Sequence, residues 1–455
     1  MKHTILLISL LALLLFTGSW VTAMPTRAST TFAVNNVSDA PDANLGDGIC
    51  RTSANTCTLR AAIQQANNLA GSDVISLPAG NYILTLPKTT EQTAASGDLD
   101  ITGDLVITGA GVDSTNIDGN GIDRLFNVLN SAEVTISKVM IQHGNPGAGA
   151  NGGGIYNSGS LTLTNVVVSG NGASSGYGGG IYNDGDLRLT DVTVMNNNTT
   201  LGGGIFNALN GTATLTDVTV SDNMASRGYG GGLYINSTAR LTNVTVSSNT
   251  ATFGGGIFNA INSRLTLTNS TISGNRASDT GGGIFVTDSS TMDLYNVTIT
   301  NNTADSDKNG TGVGGGISAL GTTTFRNSLL AGNRDSSGQA PDCSGRLASQ
   351  GYNLIQNSVG CTIDGVTAGN KTGQNPKLGS LQNNGGSTST HALLPGSPAL
   401  NAGNPAGCTD ELGGPIRRDQ RGVARPHGTA CDIGAYEAQF NVSSIYLPVV
   451  FGSAR

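Results

Sequence analysis

The sequence predicts an all-β protein: a right-handed parallel β-helix, a solenoid with coils of about 26 residues, an N-terminal helical cap and a disulfide-containing C-terminal region. A run of three glycines recurs along the chain, and an Asn or Asp marker recurs at nearly constant spacing. The glycine runs start at Gly152, Gly178, Gly202, Gly230, Gly254, Gly281 and Gly314. The markers are Asn165, Asp191, Asp217, Asn243, Asn269 and Asn296, each followed six residues later by another Asn. Such a fixed period is typical of a solenoid.

The pattern inside one repeat indicates strands. The stretch LTLTNVVVS, residues 161–169, alternates Leu with Thr and continues in Val, which is the period-two pattern of a β-strand. No 3.6-residue apolar period occurs between residues 152 and 333, which argues against helical and leucine-rich repeats. About 26 residues hold two or three short strands with their turns and so close one coil. We expect roughly nine stacked coils over residues 98–335.

Architecture explains the repeated glycines and asparagines. Equivalent residues of successive coils stack about 4.8 Å apart, so each corner repeats one conformation. Glycine supplies positive φ without a Cβ, and Asn tolerates the left-handed region and can bond the Asn above and below it. Asp191 and Asp217 are expected to replace Asn in such a corner ladder; the alternative is a carboxylate pair that binds Ca²⁺ or shares a proton. A phosphate-binding glycine loop is disfavoured because it needs one such loop opening a helix.

An open solenoid needs a cap at each end. The segment CTLRAAIQQANNLAG, residues 57–71, predicts a capping helix that begins after Thr58 and ends near Gly71. The apolar face of this helix contains Leu59, Ile63, Ala66 and Leu69. We expect it to cover the first coil.

Six cysteines lie in two terminal zones of the chain. They are Cys50, Cys57, Cys343, Cys361, Cys408 and Cys431. An even number in an exported chain favours disulfides over metal sites or reactive thiols. Fifteen connectivities are possible, and proximity in sequence favours the local pairs 50–57, 343–361 and 408–431.

The first 23 residues are typical of a secretory signal peptide, with an apolar run over residues 5–16 and cleavage near Ala23. A retained membrane anchor is the rival interpretation. No later segment is long and apolar enough to span a membrane. The net charge of −7 and the lack of a basic stripe argue against nucleic-acid binding. We therefore expect an extracellular or cell-surface protein, with outer-membrane association as one form.

The expected organisation has five parts. They are the signal peptide at 1–23, an N-terminal cap at 24–97, the β-helix repeats at 98–335, a C-terminal domain at 336–440 and a short tail at 441–455.

Three families resemble successive parts of the chain. The stretch GICRTSANTCTLRAAIQQAN, residues 48–67, resembles the CSLREA-type N-terminal domain of exported bacterial proteins. The glycine–aliphatic boxes, with Asn-x-Ala at residues 223–225, 249–251 and 275–277, resemble the repeats of chlamydial polymorphic outer-membrane proteins. The motifs GYNLI, THALLPGSPALNAG, DQRG and CDIGAYE resemble the choice-of-anchor Q domain. These resemblances imply an exported, adhesin-like surface protein.

Two sets of residues are candidate binding sites. An aromatic stripe follows the glycine runs and is expected to stack in one file: Tyr156, Tyr182, Phe206, Tyr234, Phe258 and Phe285. An outward file would be a platform for sugar rings or protein partners, whereas the Phe content favours the interior. Asp42, Asn44 and Asp47 have the spacing of the start of a Ca²⁺ loop but lack its closing Glu; the alternative is an acidic turn.

The sequence assigns no catalytic residue. His143-Gly144 matches a dipeptide of polygalacturonase-like hydrolases, but the Asn-Thr-Asp, Asp-Asp and Arg-Ile-Lys motifs that accompany it there are absent. The favoured function is therefore non-catalytic: a long stacked face that binds a polysaccharide or a surface protein, with no cofactor other than the candidate Ca²⁺. The alternative is a polysaccharide lyase or glycoside hydrolase on the same fold.

Overall fold

A computed structural model describes residues 29–130 and 132–439. The signal peptide expected at 1–23 and the tail expected at 441–455 lie outside these residues. The chain forms a right-handed parallel β-solenoid, the fold class that the sequence predicts, with about 10 coils where roughly nine were expected over residues 98–335. Parallel pairing begins at Thr31–Ala33 and continues to Lys371–Thr372.

Three sheets contain the strands of the described residues. The largest has 31 strands: Thr31–Ala33, Asp73–Ser76, Gly80–Ile83, Leu99–Ile101, Leu105–Thr108, Thr115–Asp118, Phe126–Val128, Glu133–Gln142, Ile155–Asn157, Ser160–Ser169, Ile181–Asn183, Asp186–Met195, Ile205–Asn207, Thr212–Thr216, Thr219–Ser221, Leu233–Ile235, Thr238–Thr242, Thr245–Ser247, Ile257–Asn259, Arg264–Thr268, Thr271–Ser273, Ile284–Val286, Thr291–Tyr295, Thr298–Thr300, Ile317–Ala319, Thr322–Arg326, Leu329–Ala331, Cys343–Gln350, Leu354–Ile355, Cys361–Val366 and Lys371–Thr372. The second has seven: Gly172–Tyr177, Asn198–Leu201, Met224–Ala225, Thr250–Ala251, Arg276–Ala277, Thr303–Ala304 and Arg334–Asp335. The third pairs Leu378–Gln382 with Thr390–Leu393 in antiparallel fashion.

The helix of the described residues, α1, spans Leu59–Asn68 and confirms the predicted cap. The side chain of Thr58 accepts a hydrogen bond from the amide of Ala61, which satisfies one of the free donors at the helix start. The apolar face packs on the first strands of the solenoid. Arg60 is buried and pairs with Asp39 at 2.6 Å, so the polar side of α1 is also fixed to the chain.

One continuous apolar core runs along the solenoid axis. Strand alternation builds it: in Ser160–Ser169, Leu161, Leu163, Val166 and Val168 are buried, and the Thr residues between them point outward. A file of buried Asn residues lines one corner of this core. Each amide nitrogen donates to the amide oxygen of the next Asn at 2.9–3.0 Å, and the file ends on Asp342. The file contains Asn171, Asn197, Asn223, Asn249, Asn275, Asn302 and Asn333. The predicted ladder is therefore present.

The first glycine of each three-glycine run adopts positive φ, for example 67° at Gly178. The second and third glycines pack against neighbouring backbone. A Cβ on Gly179 would lie 2.5 Å from the carbonyl oxygen of Gly203 and 2.8 Å from that of Asn198. The runs therefore serve close stacking of coils.

We expect Gly179→Ala to lower the free energy of unfolding by about 2 kcal/mol, because both groups that a methyl would meet are backbone and neither can move alone. Chemical denaturation measures this value. Gly103→Ala is the matched control, since its Cβ would meet nothing closer than the Ala66 carbonyl oxygen at 3.9 Å. Equal stability of the two variants would contradict the close-stacking explanation.

The corner markers adopt the left-handed conformation that the sequence predicts. Asp191 and Asp217 have φ of 54° and 56°, and Asn165 and Asn243 have 52° and 57°. The Asn243 amide nitrogen donates to Asp217 at 3.1 Å. Both aspartates therefore occupy corner positions in the file of Asn165 and Asn243, which is separate from the buried ladder that begins at Asn171.

The three disulfides are Cys50–Cys57, Cys343–Cys361 and Cys408–Cys431, the pairs that proximity favours. The C-terminal segment, residues 376–438, folds back along the outside of the solenoid and bonds the outward Thr245, Thr271 and Thr298 of three successive coils. Gln420 accepts a hydrogen bond from Thr271 at 2.6 Å and donates to Thr245 at 2.8 Å. No helix within the described ranges is long and apolar enough to cross a membrane.

Candidate functional site

The aromatic stripe forms one file that faces outward. Its residues alternate with buried neighbours: Ile155 and Asn157 are buried inside the coil, so Tyr156 between them points outward. Phe206 and Phe258 are buried by neighbouring rings rather than by the core. The interior location that the Phe content favours is therefore wrong.

The rings of this file cover one another. Successive centroids lie 4.9, 5.3, 4.6, 5.0 and 5.4 Å apart from Tyr156 to Phe285. A second group, Tyr177, Tyr229 and Phe253, packs on the first. Because sugar rings stack on aromatic faces, and these faces are used within the file, the middle of the stripe offers edges and hydroxyls only.

The candidate Ca²⁺ residues make hydrogen bonds within the chain. Asp42 accepts from the amides of Asn44 and Arg51 and from the side chain of Gln65. Asp47 accepts from the amide of Ile49 and from the side chains of Asn44 and Arg51. This geometry is that of an acidic turn. In the described part of the chain, no group of three or more His, Cys, Asp or Glu residues is arranged to hold a metal ion.

An open groove of ≈ 670 Å³, the His143 groove, follows one corner of the solenoid over several coils. His143 lines it with 56% of its side chain exposed and with a φ of 57°. The walls are amides, hydroxyls and glycines. Further lining residues are Asn145, Gly170, Ser174, Asn196, Asn198, Thr200, Ser226 and Arg227.

Asp118 orients His143 from the preceding coil. The Asp118 Oδ2 atom lies 3.0 Å from His143 Nδ1, and Gln142 and the Asn120 amide also donate to this carboxylate. Burial acts to raise the pKa of Asp118, but these hydrogen bonds outweigh it, so the pKa is lowered. Asp118 is therefore ionised at neutral pH and holds a proton on Nδ1, which leaves Nε2 as a proton acceptor.

Gly170 and Arg227 complete the groove. The imidazole lies over Gly170, where a Cβ would be 3.3 Å from His143 Cδ2, so a side chain there would press on the ring. Arg227 is exposed and forms no ion pair with any residue that the structure describes. No Asp or Glu is among the residues that line the groove. The Arg227 guanidinium is therefore the charged group that this lining offers to a ligand.

Sequence reasoning singled out His143 but missed its partner. Asp118 and His143 are 25 residues apart, close to one coil, so stacking brings them together. A spacing of one repeat period therefore predicts that these two residues lie close together. The coils before residue 150 match the repeat poorly, so the sequence alone does not align Asp118 with His143.

A second group of charges lies near the start of the aromatic file. Asp123 and Arg124 precede Leu125 and the strand Phe126–Val128, at the positions where the next coil has Gly152 and Gly153. Arg124 pairs with Asp98 at 3.3 Å, and Lys88 pairs with Asp123 at 3.2 Å. Burial, then repulsion from Asp100 and Asp123, raises the pKa of Asp98 to about 7.

We expect Asp98→Asn to remove a pH-dependent loss of stability. The folded protein keeps the Asp98 proton up to about pH 7, whereas the unfolded chain releases it near 3.8, so the wild-type protein loses stability as the pH rises between these values. The variant should gain about 2 kcal/mol over the wild type from pH 4 to pH 8, below the linkage limit of about 4 kcal/mol because the network can relax. Denaturation at both pH values measures this difference.

The control for this measurement is Asp113→Asn, which changes an exposed turn carboxylate. Its stability difference from the wild type should stay constant with pH. A constant difference for Asp98→Asn as well would contradict the proposed shift.

Comparisons with known proteins agree with the fold. Residues 120–304 match the family model described as "Right handed beta helix region". None of the curated proteins compared matches the sequence. The structure of pectate lyase Pel9A is 15% identical, has a TM-score of 0.50 and covers 91% of this chain and 98% of its own. The Azotobacter vinelandii mannuronan C-5 epimerase AlgE4 A-module is 14% identical over 72% of this chain and 95% of its own, with a TM-score of 0.38.

Proposed function

We propose that the protein cleaves a polysaccharide in the His143 groove. The observation that carries this proposal is the Asp118–His143 pair, which presents an oriented proton acceptor in an open, polar groove that also contains Arg227. This function replaces the non-catalytic one that the sequence favours.

The groove fits base-initiated elimination on a uronate chain better than hydrolysis. Nε2 of His143 takes the proton from the ring carbon beside the sugar carboxylate. The electron pair left behind forms a carbon–carbon double bond and expels the glycosidic oxygen from the next carbon; that oxygen then takes a proton from water. Arg227 lies three coils further along than His143, about 14 Å away at the stacking distance, and offers a partner for the carboxylate of another uronate residue of the same sugar chain. Hydrolysis normally uses two carboxylates, and none lines the groove.

The fold is compatible with this chemistry. Pectate lyase Pel9A has a similar fold at 15% identity, and fold alone is a weak guide to function.

The test is an activity screen of residues 24–455 on polygalacturonate, alginate and neutral glucans, with and without Ca²⁺. Appearance of unsaturated sugar ends on a uronate polymer supports elimination. New reducing ends without unsaturation would support hydrolysis instead. No product on any polymer would contradict the proposal. The two Ca²⁺ conditions also test the Asp42, Asn44 and Asp47 hypothesis.

A second candidate is the exported, non-catalytic surface protein, which an outward polar file of the strands favours. This file reads Thr162, Arg188, Thr214, Arg240, Thr266, Asp293 and Thr324, and Glu411 of the C-terminal segment covers it at Arg240 and Thr266. Export with cleavage near Ala23, and the resemblances to CSLREA, polymorphic outer-membrane and choice-of-anchor Q sequences, belong to this proposal. Fractionation of the producing cells, with N-terminal sequencing of the mature chain, tests it.

A further inference from the structure

The aromatic file stops at Tyr156, and smaller polar residues hold its position in the two preceding coils. Asn127 pairs in register with Tyr156, and Asp100 pairs with Asn127. The Asn127 amide nitrogen donates to Asp100 at 2.7 Å. Because Asn127 has no large ring where the next coil has Tyr156, a recess remains at this end of the file.

This recess, the Tyr156 groove, has a volume of ≈ 670 Å³. Tyr156 stacks on Tyr182 on one side only; on the other, the Arg124 guanidinium lies 5.3 Å from the ring centroid. Its lining residues are Gln92, Thr102, Asn127, Leu129, Asn130, Tyr156, Ser158 and Asp184. None of these residues also lines the His143 groove.

The chemistry of this lining matches a sugar residue. Amides, a carboxylate and hydroxyls, among them that of Tyr156, can hold the hydroxyl groups of a sugar, and Leu129 supplies apolar contact for its carbon-bound hydrogens. Asp184 is half-buried and already fixed by the side chain of Asn210 at 3.1 Å, so its position is set before a ligand arrives.

Charge distinguishes the two grooves. The lining of the Tyr156 groove has one carboxylate, Asp184, and no Lys or Arg, while Asp100 lies behind Asn127. Arg124 lies against the Tyr156 ring and 3.3 Å from Asp98, whose pKa of about 7 makes it an ionised partner above that pH. A uronate would meet like charge here, whereas the lining of the His143 groove offers it the Arg227 guanidinium.

We infer that the Tyr156 groove is a second, separate binding site that takes an uncharged sugar residue. Asp184, Asn127 and the Tyr156 hydroxyl hold its hydroxyl groups, and Leu129 contacts its apolar face. Because it is independent of the His143 groove, this inference does not depend on cleavage there.

Saturation-transfer NMR on residues 24–455 with cello-, xylo- and chito-oligosaccharides tests this site. We expect at least one of these neutral probes to bind, and Asp184→Ala to weaken it at least tenfold. Tyr156→Phe keeps the ring stack and removes the hydroxyl, so a loss of affinity there does not arise from unfolding. Asp288→Ala, at the corresponding turn further along the solenoid, is the matched control and should leave affinity unchanged.

Three results would overturn the inference. They are no binding by any neutral probe, binding that Asp184→Ala and Tyr156→Phe leave unchanged, and equal binding of a uronate oligosaccharide at this groove. Arg227→Ala should not alter binding of the neutral probe, which separates this site from the His143 groove.

Discussion

We expect His143→Gln to lower kcat on the cleaved polysaccharide by about 100- to 10,000-fold, the usual contribution of a positioned acid–base group. His143 is largely exposed, so the loss should arise without unfolding, which thermal denaturation checks. Glutamine keeps hydrogen-bonding capacity but cannot take up the proton. Initial rates on the substrate found in the screen measure the effect.

Asp118→Asn separates positioning from proton transfer. The variant loses the ionised partner of Nδ1, so we expect kcat to fall with little change in KM. Asp113→Asn is the matched control on an exposed turn and should retain wild-type kcat. Full activity of His143→Gln would place the catalytic residue elsewhere.

The largest expected loss of stability follows from breaking the asparagine ladder. Asn249 accepts from the backbone and side-chain amides of Asn223, and donates to Val220 and Asn275, at 2.9–3.0 Å. Asn249→Ala leaves several buried groups without partners, at about 1–3 kcal/mol each. We expect the free energy of unfolding to fall by about 4 kcal/mol, measured by chemical denaturation.

The control for Asn249→Ala is Asn210→Ala, which removes an exposed amide in a turn. It should change stability by no more than about 0.5 kcal/mol. If Asn249→Ala were equally mild, the ladder would not be a source of stability.

Most of the fold could be predicted because the solenoid repeats a local rule. Each coil uses the same strand alternation, glycine run and corner residue, so one repeat predicts the others. The capping helix followed from a clear apolar period over residues 57–71. The C-terminal segment lies alongside the solenoid through contacts between distant residues, such as Gln420 with Thr245, which no local pattern contains.

The candidate site was only partly predictable. The direction of Tyr156 followed from strand alternation between Ile155 and Asn157, but the Phe content of the file pointed the other way. Asp118 comes into contact with His143 only because one coil stacks on the next. Arg227 comes from a coil still further along, and its place in the groove depends on the exact stacking of coils of unequal length.

The most direct test of the account is a crystal structure of His143→Gln with an oligosaccharide of the cleaved polymer. We expect the chain to lie in the His143 groove, over Gly170, with a sugar carboxylate at Arg227 and the scissile residue beside position 143. Sugar bound only at another surface, with the His143 groove empty, would contradict the central claim.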